Sequence, residues 1–495
     1  MSSNFIKIRE LVIKMSTSIR SFERAVLKEL RNNNLAIFAG AGLSRGSGFV
    51  DWRGLLRDIA EELQLDINKE VDLVSLAQYH FNEHGRQSIN EAIIEEFQRT
   101  ATKNVNMDIL SQLPIDTYWT TNYDSIIEDT LGDAGKIADK KIESPQLKNY
   151  KPNRDVVVYK MHGDKEFPDN AVITRDDYEK YNVERAAFTT QLKGELIAKT
   201  FLFIGFSFED PNLEQILSKV RIDLLGNSPK NHYCFFRKVN KADEHYKNPD
   251  GSINEQNFYY DKVKQELKVK DLIRYGIKSI LIDEYTDITN ILKNIEKKYK
   301  ANKVFISGSA EEYGTYSKDE ATVLLHNLSK SLISNNHHII SGFGVGVGSY
   351  VINGALEEIF ENRSKKINNY LTLRPFPQFE SGGNSLKALW TEYRKEMISD
   401  AGIMILLFGN KLDKGGIVEA DGMLEEFCIA KENDKYIIPI GSTGYIAEKV
   451  FKEIKDDLDK HWYLKDSIEI LESSKNPQVI ISEINKIIER IIRSV

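Results

Sequence analysis

The chain has 495 residues, a formal net charge of −7 and a hydrophobic fraction of 41%, which predict a globular protein of about two to four domains. The acidic balance argues against a nucleic-acid partner, and two cysteines, Cys234 and Cys428, exclude a disulfide scaffold and a cysteine-rich zinc site. The start lacks the apolar run of a signal peptide and the longest apolar run, Ala401–Phe408, is too short to cross a bilayer, so we expect a cytoplasmic protein with no membrane partner.

Two segments before the first predicted strand carry apolar residues at helical spacing. The first set is Ile8, Leu11, Val12 and Met15, and the second is Phe22, Val26 and Leu30. Such helices either cover the edge of a sheet or form an oligomerisation element, and the pattern leaves both interpretations open.

A glycine-rich turn follows the first predicted strand, Leu35–Ala39. Gly40, Ala41, Gly42 and Ser44 come directly after this apolar run. Glycines at a strand end let the backbone turn sharply and approach a ligand, and exposed N–H groups there can cradle a pyrophosphate. The alternative is a tight strand-to-helix turn with no ligand.

Helical patterns then continue to about residue 97, and three further strands are predicted. Each strand has polar or glycine residues just past its end: Asn122 and Asp124 after Tyr118–Thr121, His162 after Val156–Lys160, and Gly205 and Ser207 after Thr200–Ile204. In open α/β sheets, ligands bind at the carboxyl ends of the strands, where the strand order reverses. The sequence therefore predicts one ligand site, with the helical insertion lying over it.

Asp210 and Pro211 begin the next predicted helix. Aspartate is favoured at the N-cap and proline at the first helical position. We therefore assign Asp210 a structural role in preference to a catalytic one.

A composition change near residue 300 predicts two domains, 1–299 and 300–495. The second half restarts an alternation of strands and helices, which predicts an α/β fold of two Rossmann-like domains. Its glycine-rich strand ends are suited to phosphate, as is Arg374, and Arg394 on the following helix either contacts a phosphate or lies on a solvated face. The candidates for nucleotide binding there are Gly308, Ser309, Gly342, Gly344, Gly346, Arg374, Arg394 and Gly444.

The motifs of the first half resemble the NAD-binding core of the sirtuin (SIR2) family. They are Gly40-Ala-Gly-Leu-Ser44, Thr120-Thr-Asn-Tyr-Asp124 and His162-Gly163, followed by Gly205-Phe-Ser207. The resemblance implies NAD as substrate, catalysis by His162 and Asn122, and NAD binding by the remaining candidates of this half. His162 would contact a ribose hydroxyl or act as base, and Ser44 would meet a phosphate. Asn122 would orient water or a hydroxyl or be a turn residue, and Asp124 would position Asn122 or cap a helix.

Sirtuin deacylases usually carry a four-cysteine zinc ribbon, which two distant cysteines cannot form. The nine histidines show no H-E-x-x-H spacing, so we expect no metal. The favoured interpretation is NAD hydrolysis with water as acceptor. The alternatives are a zinc-free protein deacylase and a nucleotide-binding regulator without catalysis.

The second half resembles the SLOG family of nucleotide sensors. The resemblance is carried by Ser307-Gly308-Ser309, the glycine run 342–348 and Gly441-Ser-Thr-Gly444. Ala420–Glu426 lacks the PGG and GT elements of the enzymatic relatives, which favours sensing. The order SIR2 then SLOG is similar to the effectors of the Thoeris anti-phage defence system. That similarity implies activation by a cyclic ADP-ribose isomer, which a TIR-domain partner makes, and a homo-tetramer or higher oligomer.

Overall fold

The structure, a computed structural model, describes residues 17–494 apart from 225, 226, 228, 229, 381 and 384. The chain divides into two compact units, Met1–Glu296 and Lys297–Val495, and each is described by itself. The predicted helix over Ile8 to Met15 lies outside the described residues. Among the described residues, no helix is both long and apolar enough to cross a membrane.

The first unit alternates strands with helices. Its strands are β1 (Leu35–Ala39), β2 (Thr117–Thr120), β3 (Ala138–Lys141), β4 (Val156–Lys160), β5 (Thr200–Ile204), β6 (His232–Arg237) and β7 (Ile277–Ile282). Its helices are α1 (Ile19–Arg31), α2 (Ala41–Arg45), α3 (Trp52–Leu55), α4 (Arg57–Glu62), α5 (Leu73–His84), α6 (Gln87–Phe97), α7 (Val105–Ser111), α8 (Ile126–Asp133), α9 (Arg175–Glu184), α10 (Ala186–Ala198), α11 (Pro211–Asp223) and α12 (Glu255–Ile273). The boundary between the units falls within α13 (Thr286–Lys300).

In the described part of this unit, the strands form one parallel sheet in the order β3-β4-β2-β1-β5-β6-β7. All five residues of β1 are buried, as expected for a continuous apolar run in the middle of a parallel sheet. The chain leaves β1 on one side and returns on the other with β5, so the strand order reverses between these two strands. A ligand crevice is expected at their carboxyl ends.

Helix α1 covers this sheet. Phe22, Val26 and Leu30 are buried, and the ring of Phe22 lies 5.2 Å from that of Tyr233 and 5.3 Å from that of Phe235 on β6. For α1 the sheet-covering interpretation is therefore confirmed.

The predicted helical insertion is present as α3 to α7, between β1 and β2. Asn104 caps α7, and its Nδ2 donates to the carbonyl of Leu43, 2.9 Å away. The insertion is thus fixed to α2, the short helix that begins within the glycine turn.

The second unit repeats the pattern. Its strands are β8 (Lys303–Ser309), β9 (His338–Ser341), β10 (Leu371–Leu373), β11 (Ile403–Phe408), β12 (Asn410–Asp413), β13 (Gly416–Glu419) and β14 (Tyr436–Pro439). Its helices are α14 (Lys318–Ser334), α15 (Gly348–Glu361), α16 (Ile367–Tyr370), α17 (Leu386–Asp400), α18 (Asp421–Glu432), α19 (Tyr445–Lys455), α20 (Ile468–Ser473) and α21 (Pro477–Ser494).

Five of these strands form a parallel sheet in the order β10-β9-β8-β11-β14, within the residues that the structure describes. The order reverses between β8 and β11, as in doubly wound folds. The predicted fold class, two Rossmann-like α/β sheets, is confirmed. The edge strand β3 and the β12–β13 hairpin are two elements that the sequence did not predict.

Candidate active site

Asn122 and His162 follow neighbouring parallel strands in the same register. Strands β2 and β4 pair so that Thr120 lies opposite Lys160, and each candidate stands two positions beyond its strand. The backbone N–H of Asn122 donates to Thr120 Oγ1 over 2.9 Å, which fixes the turn after β2. The structure therefore places both candidates at one edge of the sheet, as predicted.

The side chain of Ser44 connects the glycine turn to Asn122 and Asp124. Ser44 Oγ donates to Asp124 Oδ2 over 2.6 Å, and Asn122 Nδ2 donates to Ser44 Oγ over 2.8 Å. Ser44 and Asp124 are each only 4% exposed. A hydroxyl can donate one hydrogen bond, and here Ser44 donates it to Asp124. In this arrangement Ser44 therefore has no hydrogen bond to donate to a phosphate.

The contacts of Asp124 fit both of the functions that the sequence left open. Its Oδ1 accepts a hydrogen bond from the backbone N–H of Ile126, 3.0 Å away, at the start of α8. Its Oδ2 holds the Ser44 hydroxyl, which in turn holds Asn122. Asp124 therefore positions Asn122 through Ser44.

Two glycine-rich turns are candidates for binding phosphate, one after β1 and one after β5, and their glycines pack against each other. Gly42 N donates to Gly205 O over 2.9 Å, and a Cβ on Gly40 would lie 2.4 Å from the same oxygen. Gly205 has a φ of +66°, a conformation that favours glycine. The loops can thus meet only without side chains at these positions. Ala41 begins α2, and Ser207 is exposed beyond β5.

His162 is buried among aromatic rings and one carboxylate. The side chain is 6% exposed, and its Nε2 lies 3.2 Å from Asp210 Oδ2, although the two atoms are not aligned for a hydrogen bond. The rings of Tyr178 and Tyr181 meet the imidazole edge-on. Burial lowers the pKa of His162 below its ordinary value of 6.5, although the Asp210 charge acts in the opposite direction. His162 is therefore a neutral imidazole near pH 7.

Asp210 is the N-cap of α11, as predicted, because its Oδ1 accepts a hydrogen bond from Leu213 N over 2.8 Å. Its other oxygen faces His162 and accepts a hydrogen bond from Tyr178 Oη over 3.1 Å. This second contact joins residues far apart in the sequence and could not be predicted from it. The D-P pair after Gly205-Phe-Ser207 was visible, but nothing in the sequence showed that it would meet His162.

A fully buried lysine supports the turn that carries Asn122. Lys160 Nζ donates to the carbonyl oxygens of Tyr123 and Asp124. It lies 2.5 Å from Asp164 Oδ2 and 3.2 Å from Glu128 Oε1. Burial alone would lower the pKa of Lys160, but the two carboxylates raise it above its usual range, so the ammonium stays charged. It can therefore hold the carbonyl groups next to Asn122.

In the second unit the glycines also permit close approach of two loops. A Cβ on Gly344 would lie 2.0 Å from Gly308 O, and Gly346 has a φ of +70° beside Ala310. Ser309 Oγ donates to Asn410 O over 3.0 Å. These turns stand at the ends of β8 and β9, next to the reversal in strand order, as predicted for a nucleotide site.

The remaining glycine candidates of this unit lie at other strand ends. Gly342 follows β9, and a Cβ there would lie 2.9 Å from the ring of Phe376. Gly444, which precedes α19, has a φ of +79°.

The two arginine candidates of this unit already have acidic partners. Arg374 Nη1 lies 2.7 Å from Glu396 Oε1, and the arginine side chain is 28% exposed. Arg394 is buried, with Nη1 2.7 Å from Glu425 Oε2 and Nε 3.6 Å from Glu426 Oε1. The solvated-face interpretation of Arg394 is therefore wrong. A phosphate at either guanidinium would have to share or displace these carboxylates.

Both halves of the chain match known protein families. A family described as "SIR2-like domain" matches residues 116–270, and one described as "Sir2- and TIR-associating SLOG family" matches residues 287–491. The matches cover the turns of Asn122 and His162 and the second sheet.

Relatives match nearly the whole length. A protein from Cytobacillus dafuensis named NAD(+) hydrolase ThsA is 47% identical over 96% of this chain and 97% of its own. Proteins with the same name from Acinetobacter baumannii and Bacillus cereus are 46% identical, over 94% and 91% of this chain and 96% and 92% of their own lengths. By this identity over both units, the chain belongs to the ThsA family, in which the relatives are named NAD(+) hydrolases.

Proposed function

We propose that the first unit hydrolyses NAD(+) to nicotinamide and ADP-ribose. The observation that carries the proposal is the placement of Asn122 and His162 in one register at the sheet edge, with Asn122 held by Ser44. This edge adjoins the reversal between β1 and β5, where an open α/β sheet binds its ligand. The names of the full-length relatives support the same reaction.

The chemistry suits the residues at this edge. Nicotinamide leaves NAD(+) as a neutral molecule, so the reaction needs little acid catalysis and depends on holding the ribose and delivering water. Neutral His162 can accept the proton of that water or of a ribose hydroxyl. The nearby Asp210 carboxylate would stabilise the imidazolium that forms. Asn122 has a further N–H and an oxygen with which to orient water or a hydroxyl.

We propose that glycine turns of the first unit bind the NAD pyrophosphate. Gly205 lies against Gly40 and Gly42, with Ala41 between these two glycines. Exposed Ser207 stands two residues after Gly205. Ser44 and Asp124 would act on Asn122 rather than on the phosphates. Cleavage would need no metal ion.

The second unit would bind the signal that switches cleavage on. The ends of β8, β9 and β10, with Arg374, would take the phosphates of a cyclic ADP-ribose isomer made by a TIR-domain partner. The description of the matched family as TIR-associating supports such a partner. A signal shifts a resting equilibrium only by binding the active state more tightly. The activated protein would then deplete the NAD(+) of a phage-infected cell, as in anti-phage abortive infection.

A cytoplasmic location and a homo-tetramer or higher oligomer complete the proposal. Both cysteines are unpaired, which fits a reducing compartment. Light scattering on the full chain should give a mass well above that of one 56.7 kDa chain. A monomer at micromolar concentration, with and without nucleotide, would contradict the oligomer.

The testing experiment incubates NAD(+) with the full chain, with and without cyclic ADP-ribose isomers, and identifies the products by chromatography. We expect nicotinamide and ADP-ribose in equal amounts, at a rate that an isomer increases. Nicotinamide release that requires an acyl-lysine peptide would instead show a deacylase. Intact NAD(+) under every condition would show a regulator without catalysis.

A further inference from the structure

Three side chains with metal-binding atoms meet in the helical insertion. Glu62 is the last residue of α4, and His80 and His84 lie in the last part of α5. One ligand atom from each residue lies within 4.8 Å of the others. His80 Nε2 and Glu62 Oε2 are 2.6 Å apart, and the centroids of the two imidazole rings are 4.7 Å apart. A small movement of exposed side chains would bring all three around one ion.

The sequence carries a signal for this cluster, which differs from the H-E-x-x-H spacing. His80-Phe-Asn-Glu-His84 has the inverse spacing, H-x-x-E-H. Histidines four residues apart lie on the same face of a helix and can bind one metal ion together. Glu62, which precedes His80 by 18 residues, could be assigned to the site only from the fold.

The donor set and its surroundings favour a transition metal. Two imidazoles and one carboxylate suit Zn²⁺ and similar ions, whereas Mg²⁺ and Ca²⁺ prefer oxygen ligands. His80 is fully buried, and none of the described residues gives its Nδ1 a hydrogen bond. Buried polar atoms are rarely left without partners, so Nδ1 has bonding capacity that the described residues do not use, while Nε2 faces Glu62. Glu62 and His84 are exposed, which gives an ion access from solvent.

We propose that Glu62, His80 and His84 bind one divalent transition-metal ion of the zinc type, with water completing the coordination. The ion would fasten the end of α4 to the last turn of α5. At its other end, α5 is tied to α9 by the ion pair of Asp72 and Arg175, whose atoms are 3.0 Å apart. The site would therefore stabilise the insertion and takes no part in the cleavage chemistry. It does not depend on the proposed NAD hydrolysis.

The alternative is a metal-free cluster, in which His80 and Glu62 share a hydrogen bond and His84 only packs on His80. A direct measurement of metal binding distinguishes the metal site from the metal-free cluster. The full chain is stripped with a chelator, exchanged into metal-free buffer and titrated with Zn²⁺ by calorimetry. Co²⁺ is added in parallel, because its visible absorption reports the coordination geometry. We expect one ion per chain, a higher melting temperature with Zn²⁺, and no comparable effect of Mg²⁺.

His84→Ala and Glu62→Gln are the test variants, since both residues are exposed and their loss should not prevent folding. Each should weaken Zn²⁺ binding by about tenfold or more and change the Co²⁺ spectrum. His245→Ala and Cys428→Ser, which change an exposed histidine and the exposed cysteine, are the matched controls and should bind like the parent. Absence of stoichiometric Zn²⁺ binding by the parent would overturn the site. So would unchanged binding by either test variant.

Discussion

The carboxylate of Asp210 lies 3.2 Å from the imidazole of His162, measured from Oδ2 to Nε2. The other oxygen of the same carboxylate caps α11 through Leu213 N. One side chain thus anchors a helix and supplies the negative charge beside the proposed base. These two functions can be separated, because asparagine is also a good N-cap but carries no charge.

Asp210→Asn should slow NAD(+) cleavage by about tenfold, because the imidazolium of His162 would lose its nearby anion while the helix cap remains. The fall should appear in kcat more than in KM. Asp72→Asn, which changes the N-cap aspartate of α5, is the matched control and should cleave NAD(+) like the parent. Equal rates for Asp210→Asn and the parent would show that Asp210 is only a cap.

The same pair predicts the pH dependence. Burial lowers the pKa of His162 below 6.5, so the neutral base is the larger fraction at and above that pH. The cleavage rate should be level through neutrality and fall only as the pH drops through the lowered pKa. Folding stability follows the same sign: this contribution is present above pH 6.5 and is lost on acidification. In Asp210→Asn the acid limb should move to lower pH, since Asp210 is the group that raises the His162 pKa.

Asn122→Ala should lower turnover by roughly a hundredfold while the protein stays folded, because the residue positions water or a hydroxyl and packs little.

Ser44→Ala tests how Asn122 is held. If Ser44 positions Asn122, kcat falls and KM changes little. If Ser44 instead binds phosphate, KM rises and kcat is retained. Ser47→Ala, which removes another buried hydroxyl three residues further along the chain, is the control.

Glu426 should make the stability of the second unit depend on pH. Burial raises its pKa to about 7, although Ser307 and Arg394 oppose the change. Folding therefore favours the protonated form, and this stabilisation is present below about pH 4.5 and is lost as the pH rises through 7. By calorimetry, Glu426→Gln should gain melting temperature over the parent at pH 8 and little at pH 5. The exposed Glu432→Gln on the same helix should show no such trend. A pH-independent difference for Glu426→Gln would contradict the shifted pKa.

Arg374→Ala should weaken binding of the cyclic ADP-ribose isomer and the activation that it causes, with unactivated NAD(+) cleavage unchanged. The reason is loss of a bidentate phosphate partner at the end of β10. Calorimetry and a turnover titration on the same preparations measure both effects, with the exposed Arg363→Ala as control. Normal binding and activation in Arg374→Ala would place the nucleotide elsewhere. If no nucleotide changes turnover in the parent, the switch itself is wrong.

The strand ends could be predicted from sequence because each is a short apolar run followed by glycine or polar residues. That pattern placed Asn122 and His162 correctly. It failed for β3, whose Asp139 and Lys141 are both buried and form an ion pair of 2.8 Å. Charged residues of this kind look like a loop until their partner is known. The β12–β13 hairpin was missed for another reason. Its turn is formed by Lys414 and Gly415, which both have positive φ, and its two strands lie outside the main sheet.

The fine structure of the site depends on contacts between distant parts of the chain. Ser44 and Asp124 are 80 residues apart. Their motifs were visible in the sequence, but the hydrogen bonds that connect Ser44 to Asp124 and to Asn122 were not. From the sequence, Lys160 was predicted only as the last residue of a strand. Its buried ion pair with Glu128 depends on how α8, which carries Glu128, packs beside the strand.

NAD(+) turnover by His162→Ala is the measurement that decides whether His162 is catalytic. Nicotinamide release is measured for the parent and the variant at saturating activating nucleotide, and NAD(+) affinity and melting temperature are measured on the same preparations. We expect a loss of turnover on the order of a hundredfold or more, with the fold and NAD(+) binding retained. Turnover near that of the parent in a well-folded His162→Ala protein would contradict it.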